Sequence, residues 1–351
     1  MRGILYLFDN IPNQTQLNHE IEPAYWTGRH DPVPTGSHTG MIKNHAKILP
    51  KVGTGYPDTG QVMTIERNYN HMKRIITLVL GLTFLFTAQL QAQEIALQMY
   101  SLRNQTKDDV KGSHQLVADW GIKYLEGGGT YGMSQEEYKK MISEMGLSVI
   151  GVGADYNELK NNNIQKIIDQ AKAYGAKYAT CFWIPHQGDG NFTIKETQEA
   201  IELFNKAGAE MQKEGITLLY HPHGYEFTSH GSGVLFDEMV KNANNYKFNM
   251  DVYWVQMGGG DPVAYLKANP ELYPLLHLKD RKKGTPGSKD GRGDVETNVV
   301  LGEGDIDIKS LIELAVKHKV EYLVIEDEST RSVEQIPQSV AYINKIKSQI
   351  K

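Results

Sequence analysis

Residues 216 to 223 read Ile-Thr-Leu-Leu-Tyr-His-Pro-His, and residues 247 to 254 read Lys-Phe-Asn-Met-Asp-Val-Tyr-Trp. Each is a short apolar run that ends on side chains able to bind a metal or carry a proton. Residues 275 to 280, Leu-Leu-His-Leu-Lys-Asp, and 322 to 326, Tyr-Leu-Val-Ile-Glu, repeat the pattern. Short apolar runs bounded by turn signals read as strands buried on both faces. Such strands belong to parallel sheets covered by helices.

Working outward from these four, further strand-like runs occur at 95–101, 123–126, 148–154 and 178–183. Helical patterns separate or follow them at 108–120, 134–145, 164–174, 194–214, 234–244, 262–268, 308–318 and 333–347. Gly121, Gly146, Gly175 and Gly215 each stand just past a helix and just before a strand, where a left-handed residue ends a helix. Asp261 followed by Pro262 supplies an N-cap and an N1 proline. Ser134 with Glu137 makes a capping box. Eight strand–helix units in about 255 residues predict an α/β fold, a single-domain (β/α)8 TIM barrel over 93–351. An open doubly wound sheet is the alternative. It loses because no glycine-rich phosphate loop follows the first strand, and Gly127-Gly128-Gly129 reads as a tight βα turn. The connection 281–305 is too long for an ordinary turn and reads as a flap over the substrate.

Residues 72 to 92 have a different character. Met-Lys-Arg precedes an apolar run of about 14 residues from Ile75 to Ala88, and Ala92 follows shortly after. A positive start, a short apolar run and a small residue before the cut are the parts of a signal peptide. The run is short of the roughly 20 residues that span a bilayer, and its apolar positions cover every helical face. The expectation is cleavage after Ala92, periplasmic or secreted location, and no stable membrane anchor afterwards. Residues 1–71, rich in Asn, His, Thr, Gly and Pro without sustained periodicity, read as an upstream start codon wrongly chosen or a disordered extension.

The 351 residues carry 37 Lys and Arg against 42 Asp and Glu, a formal charge of -5, with no basic stripe for a nucleic-acid backbone. Cys181 is the only cysteine, so an intrachain disulfide is excluded.

Barrel enzymes build their sites at the C-terminal ends of the strands. Glu126, Trp183, His221, His223, Asp251, His277, Lys279 and Glu326 all fall there. A charge ending a buried apolar strand is costly unless it is paired or bound to metal. One such residue is more simply a rim salt bridge; four strand ends in succession favour a site. Nitrogen and oxygen donors without a thiolate suit one divalent ion: Mn, Mg, Co or Zn. Such an ion could chelate vicinal sugar oxygens and stabilise an enediolate. By the strand pleat, His221 and His223 share a face, as do His277 and Lys279. One member of each pair is then a ligand and the other a substrate contact. Trp183, Tyr253 and Trp254 could form an apolar platform for a sugar ring, or could be core.

From about Ile95 onward the chain resembles the xylose-isomerase-like TIM-barrel family of sugar isomerases, epimerases and inosose dehydratases. The resemblance is carried by residues 97–103 (Leu-Gln-Met-Tyr-Ser-Leu-Arg), 124–126 (Tyr-Leu-Glu), 175–178, 220–227 (Tyr-His-Pro-His-Gly-Tyr-Glu-Phe), 250–254, 277–280, 302–307 (Gly-Glu-Gly-Asp-Ile-Asp) and 325–326. It implies metal ligands Asp251, His277 and Glu326. At the fifth strand, where epimerases place a glutamate, this chain has His221. The expected metal set is thus His221, Asp251, His277 and Glu326. The catalytic candidates are Glu326, His223, Lys279 and Glu226, and the substrate contacts are Gln98, Glu126, Trp183, Tyr253, Trp254 and Glu303. The implied activity is a metal-dependent isomerase or epimerase acting on an unphosphorylated sugar or keto-sugar, with a homo-oligomer as the assembly such a barrel could form. Loss of one of the two epimerase glutamates makes elimination beside the carbonyl of a 3-keto-glycoside the alternative. An endonuclease of the same barrel needs a basic DNA face and more ligands, and export argues against it. A sugar-binding barrel without catalysis is the third class.

Overall fold

The computed structural model describes residues 93–127, 129–187 and 191–350. The expected signal segment and everything before it lie outside these residues. Eight parallel strands close into a barrel: β1 Glu94–Gln98, β2 Tyr124–Glu126, β3 Ser148–Gly153, β4 Tyr178–Cys181, β5 Thr217–Tyr220, β6 Lys247–Asp251, β7 Leu275–Leu278 and β8 Tyr322–Ile325. Closure is made by β1 on β8, with Ala96 opposite Val324.

The pleat explains how this barrel carries a site. Ala96, Ile150, Tyr178, Leu219, Leu275 and Val324 form a separate apolar cluster inside the barrel, distinct from the larger core between sheet and helices. Alternate strand residues point the same way. Two residues beyond this apolar layer therefore stand Gln98, Thr180, His221, His277 and Glu326, which the same register aims into the barrel mouth. A polar layer stacked on an apolar one is the result.

Helices wrap the outside, and their ends match the sequence signals. Gly121, Gly146, Gly175 and Gly215 all take positive φ, between 68° and 79°. Ser134 and Glu137 form the capping box, and the Asp261 carboxylate caps the helix Pro262–Ala268 through the amides of Val263 and Ala264.

Two strand expectations run too long. Met99–Leu102 is a 3-10 turn and Val252–Met257 a short helix. The second turns because the Asp251 carboxylate accepts the amide of Trp254 at 3.0 Å and caps a helix there. The connection 281–305 contains a small hairpin in which Asp280–Arg281 pairs with Asn298–Val299. Among the described residues, no helix is long and apolar enough to cross a membrane.

Candidate metal centre

β5 to β8 each deliver one side chain to a common point. His221, Asp251, His277 and Glu326 offer ligand atoms that lie within 4.8 Å of one another, and all four are buried. Nε2 of His221 stands 3.7 Å from Oδ2 of Asp251, beyond hydrogen-bond distance. That Oδ2 has no hydrogen-bond partner, nor does Nδ1 of His221. An orphaned buried acceptor costs about 1–3 kcal/mol, which a cation would relieve. Two imidazoles and two carboxylates suit a divalent first-row ion or Mg²⁺. The residues fit a metal.

His277 is the hinge of the cluster. Its Nδ1 bonds Glu326 at 2.9 Å, and its Nε2 contacts the carboxylate of Glu126. Burial disfavours its charge, but Glu126 and Glu326 outweigh burial and push the imidazole up to about 10. Glu126 is itself saturated. It accepts from Gln98 Nε2 at 3.1 Å, Thr180 Oγ1 at 2.9 Å and Asn249 Nδ2 at 2.6 Å. Of the expected substrate contacts, Glu126 holds Nε2 of His277 and Gln98 bonds Glu126. Asn249 and Thr180 were missed by the sequence reading. Asn249 lies two residues before Asp251, so pleat parity could have found it; Thr180 lies three before Trp183, and no such signal marks it.

The remaining candidates are spread around this core. Burial raises Glu326, yet the Lys279 ammonium and His277 hold it well below the usual carboxylate range. Burial likewise opposes charge on Lys279, but Glu326, Glu328 and Asp251 keep it protonated. Lys279 pairs with Glu328 and lies 5.2 Å from the Tyr253 ring centre and 5.5 Å from that of Trp254. Tyr253 and Trp254 are thus the aromatic wall around an ammonium. Burial and neighbouring histidines drive His221 well below its ordinary value, which leaves a neutral imidazole with a lone pair for metal. Burial raises Asp251.

Of the two histidines after β5, His221 belongs to the cluster. His223 stands one ring further out, 4.7 Å from His221, and near Trp183 and Trp254 at 5.2 and 5.4 Å. It is half-buried, its Nδ1 lacks a partner, and burial pushes it down to about 3. Glu226 is fully buried and turned into the fold, accepting the His223 amide at 3.1 Å and the Tyr220 hydroxyl. Burial pushes its carboxyl up to about 7. It holds the loop that presents His223. Glu303 is exposed, on the Gly302–Gly304 turn whose glycine amides donate to Asp280 at 2.8 and 3.0 Å. The structure leaves it outside the cluster's contacts.

The connection 281–305 packs at the mouth. A side chain at Gly291 would come within 2.9 Å of Trp183, and one at Gly293 within 3.0 Å of the Tyr253 hydroxyl. Trp183 nonetheless remains 39% exposed.

The family model described as Xylose isomerase-like TIM barrel matches residues 114–346. No curated protein matches the sequence significantly. Among solved structures, a sugar phosphate isomerase/epimerase from Parabacteroides distasonis superposes with a TM-score of 0.60 at 22% identity, over 72% of this chain and 98% of that one. The IolI protein with a binding zinc atom superposes with a TM-score of 0.56 at 14% identity, over 74% and 99%. The probable 3-DHS dehydratase AsbF from Bacillus anthracis gives 0.55 at 14%, over 72% and 99%.

Proposed function

We propose that this chain, which belongs to the xylose isomerase-like TIM-barrel family, is a divalent-metal-dependent enzyme that removes a proton beside the carbonyl of an unphosphorylated sugar or keto-sugar, as sugar isomerases and epimerases do. One observation carries the reading: four ligand-bearing strand ends converge within 4.8 Å, with the Asp251 Oδ2 left unpartnered. When bound there, a divalent ion supplies a Lewis acid that polarises the carbonyl and stabilises developing negative charge.

The protein's own groups then divide the work. Glu326, held ionised, and His223, neutral with a free nitrogen, are the proton acceptors at the cluster. Metal ligation would occupy the lone pair of His221, so that imidazole positions rather than titrates. Lys279 stays protonated beside Glu326 and is the donor available to a departing or developing oxyanion. Trp183 offers an exposed aromatic face at the mouth of the barrel. That the substrate is unphosphorylated is supported by the lack of a glycine-rich phosphate loop after the first strand in the sequence. Export through residues 72–92, to the periplasm or outside the cell, belongs to the same proposal.

A second reading has its own support. The residue directly after β5 is His221, where an epimerase would place its second carboxylate. One carboxylate base with a separate ammonium acid suits elimination, the loss of water or an aglycone beside the carbonyl. The test incubates metal-loaded protein with free ketoses, glycosides and 3-keto-glycosides and identifies the products. Epimers or ketose–aldose pairs support isomerisation; unsaturated sugars and released aglycone support elimination. Metal binding with neither outcome leaves a sugar-binding barrel and overturns the enzyme.

A further inference from the structure

Beside the metal centre opens a second space that none of the ligands fills. A cavity of about 310 Å³ lies at the C-terminal ends of β3 and β4, walled by Gly153, Asp155, Tyr156, Glu158, Phe182 and Trp183. Its wall residue Phe182 separates it from the cluster by one ring, which lies 5.4 Å from that of His221 and 6.3 Å from that of His277. Trp183 joins it to His223 at 5.2 Å. Its size is at the small end of ligand pockets, and it adds to whatever room the metal centre itself provides. A lone monosaccharide bound through vicinal oxygens at the cluster would leave it empty.

Chemistry narrows the occupant. Trp183 and Tyr100 are the exposed large hydrophobic side chains among the described residues, and Trp183 lines this cavity at 39% exposure. Exposed indole at a concave site is a stacking surface for a flat or ring-shaped group. Asp155 and Glu158 bring two carboxylates to the rim. Asp155 is engaged as a cap for the amides of Asn157 and Glu158, at 2.9 Å each, and Glu158 pairs with Lys166. With both carboxylates engaged and no cationic side chain among the lining residues to hold a phosphate or carboxylate, the cavity suits an uncharged occupant.

We propose that this cavity is a subsite for a second, uncharged ring of the substrate, so that the enzyme acts on a glycoside and holds its aglycone against Trp183. The proposal rests on the sugar reading above and names its substrate class. The sugar ring sits over His221, Asp251, His277 and Glu326, and the ring attached to it extends past Phe182 into the cleft. The flap residue Gly291 backs the indole from the other strand ends, since a side chain there would meet Trp183 at 2.9 Å.

Gly153 provides a clean test. Gly153 lines the cavity and a Cβ built on it meets nothing within 4 Å, so Gly153→Phe adds a bulky ring at the cavity wall from a position with room for a side chain to start. Calorimetry on Zn²⁺-loaded protein compares methyl and 4-nitrophenyl glycosides of glucose and galactose, in both anomers. The expected result is that at least one aryl glycoside binds about tenfold tighter than its methyl counterpart. Gly153→Phe and Trp183→Ala each abolish that difference while Zn²⁺ affinity stays unchanged. Methyl and aryl glycosides binding alike, or a preference that survives both substitutions, overturns the subsite alone. Zn²⁺ binding with no glycoside bound at all overturns the sugar reading together with it.

Discussion

The carboxylate of Glu126, fully buried, grips Nε2 of His277 and leaves Nδ1 of the same ring aimed at Glu326. A histidine ligand whose other nitrogen is held by a carboxylate is fixed in tautomer and orientation. Glu126 reaches this position because barrel closure sets β2 across the lumen from β7. Glu126→Gln keeps the shape and a hydrogen-bonding side chain but removes the charge. Expected is a loss of 10- to 100-fold in metal affinity, with the circular dichroism of the fold preserved. Unchanged affinity would show that His277 needs no such support.

The ligand set itself is tested more bluntly. Asp251→Asn and Glu326→Gln should abolish tight metal binding and activity while the barrel survives, because an Asn can still cap Trp254 and a Gln can still bond His277. Stoichiometric metal retained in both variants, measured by elemental analysis, would remove the site.

His221 and His223 should behave differently. His221→Ala is expected to release the metal. His223→Ala should retain it and lose about 10²–10⁴ in kcat, the usual contribution of a positioned proton carrier. If both substitutions release the metal, or both leave kcat intact, the division of labour between ligand and proton carrier is wrong.

These roles were partly legible in the sequence, and physical reasons separate what was from what was not. Asp251, His277 and Glu326 stood out because each interrupts an apolar run, and a charge there demands a partner. The pleat alone does not choose between His221 and His223, which share a face, and only the fold sets their ring positions. Glu126 looked like a substrate contact from its place at a strand end. Its four partners come from β1, β4, β6 and β7, and no spacing along the chain announces such a convergence. Val252 to Trp254 looked like strand because the residues are β-branched and aromatic; the Asp251 cap overrode that preference.

Acidity gives an independent handle. In the metal-free protein, His277 titrates at about 10, against about 6.5 for an unfolded histidine. A raised folded value stabilises the fold fully below the unfolded value and progressively less as pH climbs through about 10. A metal taking Nδ1 must displace that proton. Affinity for Zn²⁺ should therefore rise with pH, by roughly tenfold per unit or more near neutrality, with the His277 proton and part of one from Asp251, whose burial lifts it to about 7, released per ion. Calorimetry in buffers of different ionisation enthalpy counts these protons; none released would contradict the bridged imidazolium.

The central claim is that this metal cluster removes a proton beside a sugar carbonyl. The most direct measurement follows the α-proton of keto-sugars and 3-keto-glycosides by NMR in deuterated water, with metal-loaded, metal-stripped and Glu326→Gln protein side by side. The account predicts α-proton loss or exchange with the loaded protein only, accompanied by isomerised or eliminated product. An unchanged α-proton across the panel with a full complement of metal, or the same exchange in the stripped protein, would contradict it.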